Sequence, residues 1–291
     1  MGSPPSARRR AWTYVRSAST RNFGRREPYA EVYPLHPRPH SGELPSRMPT
    51  LLDRPHAYWR ATKAHRYSLI FALPLLVLYE VLAATLGGAH GVRNGADALL
   101  KGAFAAVFGP NGPLVFAALL ILGCVYLIWR DRHGGQLRAG YFGLMFVESV
   151  VLALLFGLAV SAVTVRLLHP LGVLALAQVD QMGWWTRLMM SLGAGLYEEL
   201  LFRVILVAGL AWLGRRALGL RPVPAGVLAT VLGALLFSLA HYVGPYGDPL
   251  ALPSFTFRFV AGLFFSGLYL LRGFGITAWT HALYDAFLLL L

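Results

Sequence analysis

The sequence is dominated by uninterrupted apolar runs of membrane length. They fall at 67–88, 113–129, 141–168, 184–213, 225–243, 254–272 and 274–291, each rich in Leu, Val, Phe, Ala and Gly. A helix needs about 20 apolar residues to cross the hydrocarbon core of a bilayer. The runs are continuous rather than alternating, which excludes barrel strands, and backbone in lipid must satisfy its own hydrogen bonds. The expected fold is therefore all-α: a polytopic transmembrane helical bundle of about seven spans. Pro74, Gly123, Gly157, Gly193 and Gly195 lie within the runs, as membrane helices tolerate. Segment 89–112 follows Gly87-Gly88 and is less apolar. Its stretch Ala96–Phe108 predicts a short re-entrant or interfacial helix. Composition agrees, with 56% hydrophobic and only 13% charged residues, against about 25% charged in soluble domains.

The formal net charge is +13. The basic residues lie mostly between the apolar runs, so topology explains them better than nucleic-acid binding does. Residues 1–66 carry thirteen Lys and Arg against Glu27, Glu31, Glu43 and Asp53, with no helical or strand period. This region is expected to be a disordered cytoplasmic tail, leaving 67–291 as the transmembrane domain. Arg8-Arg9-Arg10 is not followed by an apolar stretch, so no secretory signal is expected there. Met48 opens a sequence that leads directly into the first span and offers an alternative start, which would set residues 1–47 aside. Arg130, Arg132, Arg138, Arg215, Arg216, Arg221 and Arg272 fall in alternate loops. Their placement predicts a cytoplasmic N-terminus and an external C-terminus, although Arg93 and Lys101 run against it. The Ala-, Arg- and Gly-rich composition suggests a bacterial inner membrane. Cys124 is the sole cysteine, which excludes an intrachain disulfide and a zinc ribbon. No internal repeat of the inverted-transporter kind is present.

Charged side chains at the centre of a membrane helix cost at least about 2.5–3.5 kcal/mol, so those present point to function. They are Glu80, Glu148, Glu198, Glu199, Arg203, His241, His281 and Asp285, with Arg258 nearer a helix end. Glu199 and Arg203, four residues apart, can pair directly. In an α-helix, adjacent Glu198 points to another face and is left free for chemistry. Phe237 and His241 share one face of the fifth span. His281 and Asp285 share one face of the last. A single Glu–Arg pair, an interfacial histidine or a His–Asp pair would each be ordinary structural features. A second, adjacent glutamate and two further polar spans favour one buried polar cluster. A carboxylate and an imidazole can deprotonate water, and a second imidazole can stabilise an oxyanion. That apparatus suffices for peptide hydrolysis.

The order Glu198-Glu199-x-x-x-Arg203, Phe237-x-x-x-His241 and His281-x-x-x-Asp285 resembles the three motifs of the CAAX protease and bacteriocin-processing (CPBP, or Abi) family. The eukaryotic member is the Ras-converting CAAX endopeptidase. The resemblance covers 184–291 and implies an intramembrane endopeptidase. By that analogy Glu198 and His241 activate water, His281 and Asp285 stabilise the oxyanion, and Glu199 and Arg203 support the first motif. No cofactor is implied. The partners implied are membrane lipid and a peptide or lipid-anchored protein substrate, not nucleic acid. One departure is Asp285, where the eukaryotic enzyme has Asn; an ionised Asp cannot donate to an oxyanion, so either burial keeps Asp285 protonated or it orients His281 as the only donor. A further C-terminal helix of some relatives is not expected after Asp285.

Two other readings share these residues. Glu198, His241 and His281 are three conceivable zinc ligands, and a His₂Glu set is catalytic elsewhere, but no H-E-x-x-H helix exists. A proton-coupled transporter, or a non-catalytic immunity or scaffold protein, would account for intramembrane carboxylates in general. That includes Glu80 and Glu148, which the hydrolase reading leaves without a role except lining the cavity or pairing with Arg203 or Arg258.

Overall fold

A computed structural model describes residues 53–86, 93–169, 183–244 and 247–290. Among these residues there is no strand, and the fold is a bundle of helices. The helices are α1 (Asp53–Thr62), α2 (His65–Leu86), α3 (Gly95–Phe108), α4 (Gly112–Arg130) and α5 (Ala139–Leu168). A continuous rod follows at 184–217. It comprises α6 (Trp184–Gly193), π-helical segments Ala194–Glu198 and Leu200–Val207, and α7 (Ala208–Ala217). The chain ends in α8 (Pro222–Ala240), α9 (Leu252–Arg272) and α10 (Phe274–Leu290).

Helices α2, α5, α8 and α9 and the stretch Gly95–Arg130 are long and apolar enough to cross a membrane. This chain is an integral membrane protein. The remaining two expected spans are the rod and α10, and they carry most of the ionisable residues. Helix α10 has 17 residues, about 26 Å at 1.5 Å per residue. The stretch Gly95–Arg130 is not one straight helix. Phe104 and Phe116 have ring centroids 5.3 Å apart, whereas twelve residues of straight helix span about 18 Å. The chain reverses through the 3-10 turn Gly109–Asn111, where Gly109 has φ of 60°. The short helix expected at 96–108 is therefore α3, folded back on α4.

One helix lies within the stretch 1–66 expected as a tail. Residues 1–52, including Met48, lie outside the described residues, but α1 begins at Asp53. Arg272 at the end of α9 holds it. The guanidinium meets Glu148 of α5 at 2.5 and 2.7 Å and donates to Thr62 at 2.9 Å. It also lies over the Trp59 ring at 4.0 Å. Tyr58 donates to the same carboxylate at 2.6 Å. Burial, and then the neighbouring Glu148, push the Tyr58 phenol above its ordinary range, so it stays a donor. Glu148 thus has a structural partner, Arg272, rather than Arg203 or Arg258.

Small residues bring the rod against its neighbours, as is common where membrane helices pack closely. A Cβ on Gly195 would lie 2.3 Å from the Ala278 carbonyl oxygen and 2.6 Å from Cβ of Ala282, both on α10. A Cβ on Gly193 would lie 2.5 Å from the Tyr79 ring and 2.7 Å from Cβ of Asn94. These glycines set how near α10 and the start of α3 come to the rod. Replacing glycine by alanine within a helix normally stabilises it by about 1 kcal/mol. Gly195→Ala is expected to lower the thermal unfolding temperature in detergent. Gly209→Ala, on the same rod with open space around it, should not. Equal stability of the two variants would contradict the packing argument.

Candidate active site

The rod, α8 and α10 bring all six expected site residues into one cluster, from which Glu198 and Glu199 reach different partners. Glu199 is fully buried and accepts from His281 Nδ1 at 2.7 Å. Its second oxygen lies 3.2 Å from Arg203 Nε. That approach is close but poorly aligned, since neither atom completes a hydrogen bond with good geometry. The guanidinium instead lies between rings, 4.4 Å from the centroid of Phe237 and 5.4 Å from that of Phe265. Aromatic faces attract a desolvated cation. Phe265 also stacks on His281, with centroids 4.3 Å apart. Nothing in the sequence pattern of α9 singles this residue out.

The π-helical winding of Ala194–Glu198 and Leu200–Val207 explains why the Glu199–Arg203 pair is misaligned. Hydrogen bonds run i→i+5 in such a segment, and such segments are frequent at functional sites. The 100° step assumed for Glu198 and Glu199 therefore does not apply here.

Glu198 is partly accessible, with 13% of its side chain exposed. Its Oε1 accepts from Asn94 Nδ2 at 3.0 Å. Its Oε2 faces His241 Nε2 at 4.0 Å, too far for a direct hydrogen bond. His241 sits where α8 ends, and its Nδ1 lies 2.8 Å from the Phe237 carbonyl oxygen. A carbonyl only accepts, so Nδ1 carries the proton, and the neutral ring then presents the Nε2 lone pair toward Glu198. His281 Nε2 lies 3.6 Å from Asp285 Oδ2, and Asp285 is 30% exposed. His281 is therefore bound to Glu199 more closely than to Asp285, the partner its spacing suggested.

Asn94 escaped the sequence reading because it stands alone before α3, far from any motif. A second network lies beside it. Lys101 meets Glu80 at 2.8 Å and Asp97 at 2.7 Å, and Arg93 meets Asp97 at 2.9 Å. Tyr197 donates to Glu80 at 2.5 Å. Glu80 thus pairs with Lys101 and Arg93, not with Arg203 or Arg258, while Arg258 pairs with Asp248. Glu80, Lys101 and Tyr197 also line a cavity of about 640 Å³ with Leu76, Phe116 and Leu120. With Glu80 and Glu148 both ion-paired, the chief observation favouring a proton-coupled transporter is accounted for structurally.

Residues 180–287 match the family described as Type II CAAX prenyl endopeptidase Rce1-like. This part of the chain belongs to the CAAX protease family. The match spans the rod, α8, α9 and most of α10, and so contains all three motifs. In general terms this CAAX-type protein is a membrane peptide hydrolase. Comparison with curated proteins and with solved structures finds no match.

The zinc set fits poorly. Both ring nitrogens of His281 are turned toward carboxylates, Glu199 and Asp285. Among the described residues no three His, Cys, Asp or Glu side chains converge as ligands. Breaking a buried ion pair from one side typically costs about 3–5 kcal/mol, while replacing both partners by apolar groups costs far less. Arg203→Met is therefore expected to destabilise the CAAX-type protein strongly. Adding Glu199→Leu should recover part of that loss, read by unfolding in detergent. Additive losses in the double variant would contradict the pairing.

Proposed function

We propose that the chain is a glutamate-dependent intramembrane endopeptidase in which Glu198 and His241 activate water without a metal. The observation that carries this reading is the facing of Glu198 Oε2 and His241 Nε2 across 4.0 Å, with the second atom of each group occupied elsewhere. A water between them can donate one hydrogen bond to each. Removal of its proton generates the nucleophile that attacks a peptide carbonyl, a general-base step worth about 10²–10⁴-fold. The protonated base then supplies the proton to the leaving amine.

His281 supplies the oxyanion donor. Its Nδ1 donates to Glu199, so its Nε2 can donate as well only in the imidazolium form. That cation would stabilise the developing negative charge directly. Asp285, 3.6 Å from Nε2, is a counter-charge to this ring rather than a donor. Glu199 and Arg203 hold the ring in place. The substrate is a peptide bond close to a membrane anchor, in a membrane peptide or a lipid-anchored protein. The prenylated CAAX sequence named for the family is the first substrate to test. The same reading takes the N-terminus as cytoplasmic.

The test uses the full chain in liposomes with an internally quenched, farnesylated peptide ending in a CAAX sequence, alongside an unprenylated membrane peptide. Glu198→Gln is expected to lower cleavage by about 10²-fold or more with unchanged unfolding. Prolonged chelation should leave the wild-type rate intact. Wild-type cleavage by Glu198→Gln would refute the mechanism, and stoichiometric zinc in active protein would replace it with the metal reading. Asp285→Asn should lower cleavage less than Glu198→Gln does, since Asp285 supports the imidazolium of His281 only as a counter-charge and Glu199 remains beside the ring.

A further inference from the structure

Asn94 meets Glu198 at Oε1, the oxygen that does not face His241. It is almost fully buried, 3% exposed, and precedes α3. Every polar atom of the residue that faces the site has a defined partner. Its Oδ1 accepts from the Ala96 amide at 2.9 Å, capping α3. Its own amide donates to the Tyr79 hydroxyl at 3.1 Å, and that hydroxyl donates to Asp97 at 2.8 Å. Asp97 is in turn fixed by Arg93 and Lys101. With Oδ1 committed as an acceptor, the side-chain amide cannot be flipped without breaking the cap. Its NH₂ group must point at Glu198 Oε1, 3.0 Å away.

We propose that Asn94 is a positioning residue for Glu198: it occupies Oε1 and leaves Oε2 alone to face His241 and the attacking water. The proposal rests on the reading of Glu198 as the base. A carboxylate on a flexible side chain can present either oxygen, and can turn both away from a histidine 4.0 Å distant. A donor fixed to a separate helix removes that freedom. It also keeps the reactive oxygen on the side where α8 ends. Such alignment acts on the rate of the chemical step more than on substrate binding, because small errors in the placement of reacting groups carry large penalties in rate. The charged tetrad of Glu80, Arg93, Asp97 and Lys101 thereby gains a connection to catalysis. It holds Tyr79, which holds Asn94, which aims Glu198.

Asn94 also has a purely structural job as a helix cap, and the two jobs are separable. Serine caps helices about as well as asparagine, and threonine somewhat less well. Each hydroxyl is shorter than the asparagine amide and, when accepting from the Ala96 amide, does not reach Glu198. Asn94→Ser should therefore unfold in detergent at close to the wild-type temperature, and Asn94→Thr only slightly below it. Each should cleave the quenched farnesylated peptide with kcat lowered about 10- to 100-fold, the range expected for losing a hydrogen bond to a charged group, while KM changes little. A folded variant of either kind with wild-type kcat overturns the proposal and leaves Asn94 as a cap only. A fall in kcat that merely tracks a matching fall in folded protein overturns it as well. Glu198→Gln in the same preparation separates the two levels. If Glu198→Gln still cleaves, the base assignment fails. If Glu198→Gln is inactive while Asn94→Ser is unimpaired, only the positioning role fails.

Discussion

Glu199 is the group around which this fold has to be arranged. A carboxylate with no exposed surface, inside a bundle facing lipid, is tolerated only if other groups replace the water it has lost. Arg203 and His281 do so from the same rod and from α10. Arg203, once buried, needs compensation in turn and obtains it from the rings of Phe237 and Phe265 on α8 and α9. One buried charge therefore recruits residues from α8, α9 and α10 as well as from its own rod. Glu198 and His241, the proposed hydrolytic pair, sit on the rim of this assembly, where part of each side chain is exposed.

A division of labour follows within the glutamate doublet. Glu199 is enclosed and has two partners of opposite character, a cation and an imidazole. Glu198 is partly accessible, and one of its oxygens faces an imidazole lone pair across a gap. Adjacent in sequence, they are given different tasks by what surrounds them. The π-helical backbone contributes, since it spaces Glu199 and Arg203 too imperfectly for an aligned hydrogen bond and leaves the guanidinium to the aromatic faces. Gly195 lets α10 approach closely enough for His281 to reach the enclosed carboxylate.

Much of this was legible in the sequence because lipid makes the rules severe. Apolar runs marked the helices, and the few ionisable residues within them marked the cluster. Glu198, His241 and His281 are brought together from three separate spans, as their cost in lipid suggested. Other features carried no comparable mark. Asn94 stands before a short helix and is polar without being charged. Phe265 is one aromatic residue among many on α9. The π-helix leaves no trace in residue type, so an α-helical step was assumed where the winding is wider. Glu80 and Glu148 were visible as anomalies, but their partners, Lys101 and Arg272, are distant in sequence and became apparent only through folding. Helix α1 carried no apolar mark because it is polar and short, and its docking depends on Arg272, more than two hundred residues away.

The order of the elements along the chain has a further implication. Asn94, Glu198 and His241 all precede His281, which lies on α10, the last described helix. Membrane helices leave the ribosome in that sequence. Until α10 has docked against Gly195, Glu199 lacks its imidazole and the proposed oxyanion donor is missing. In a chain synthesised in this order, the proposed catalytic set is completed only when α10 docks, after the earlier described helices have been made.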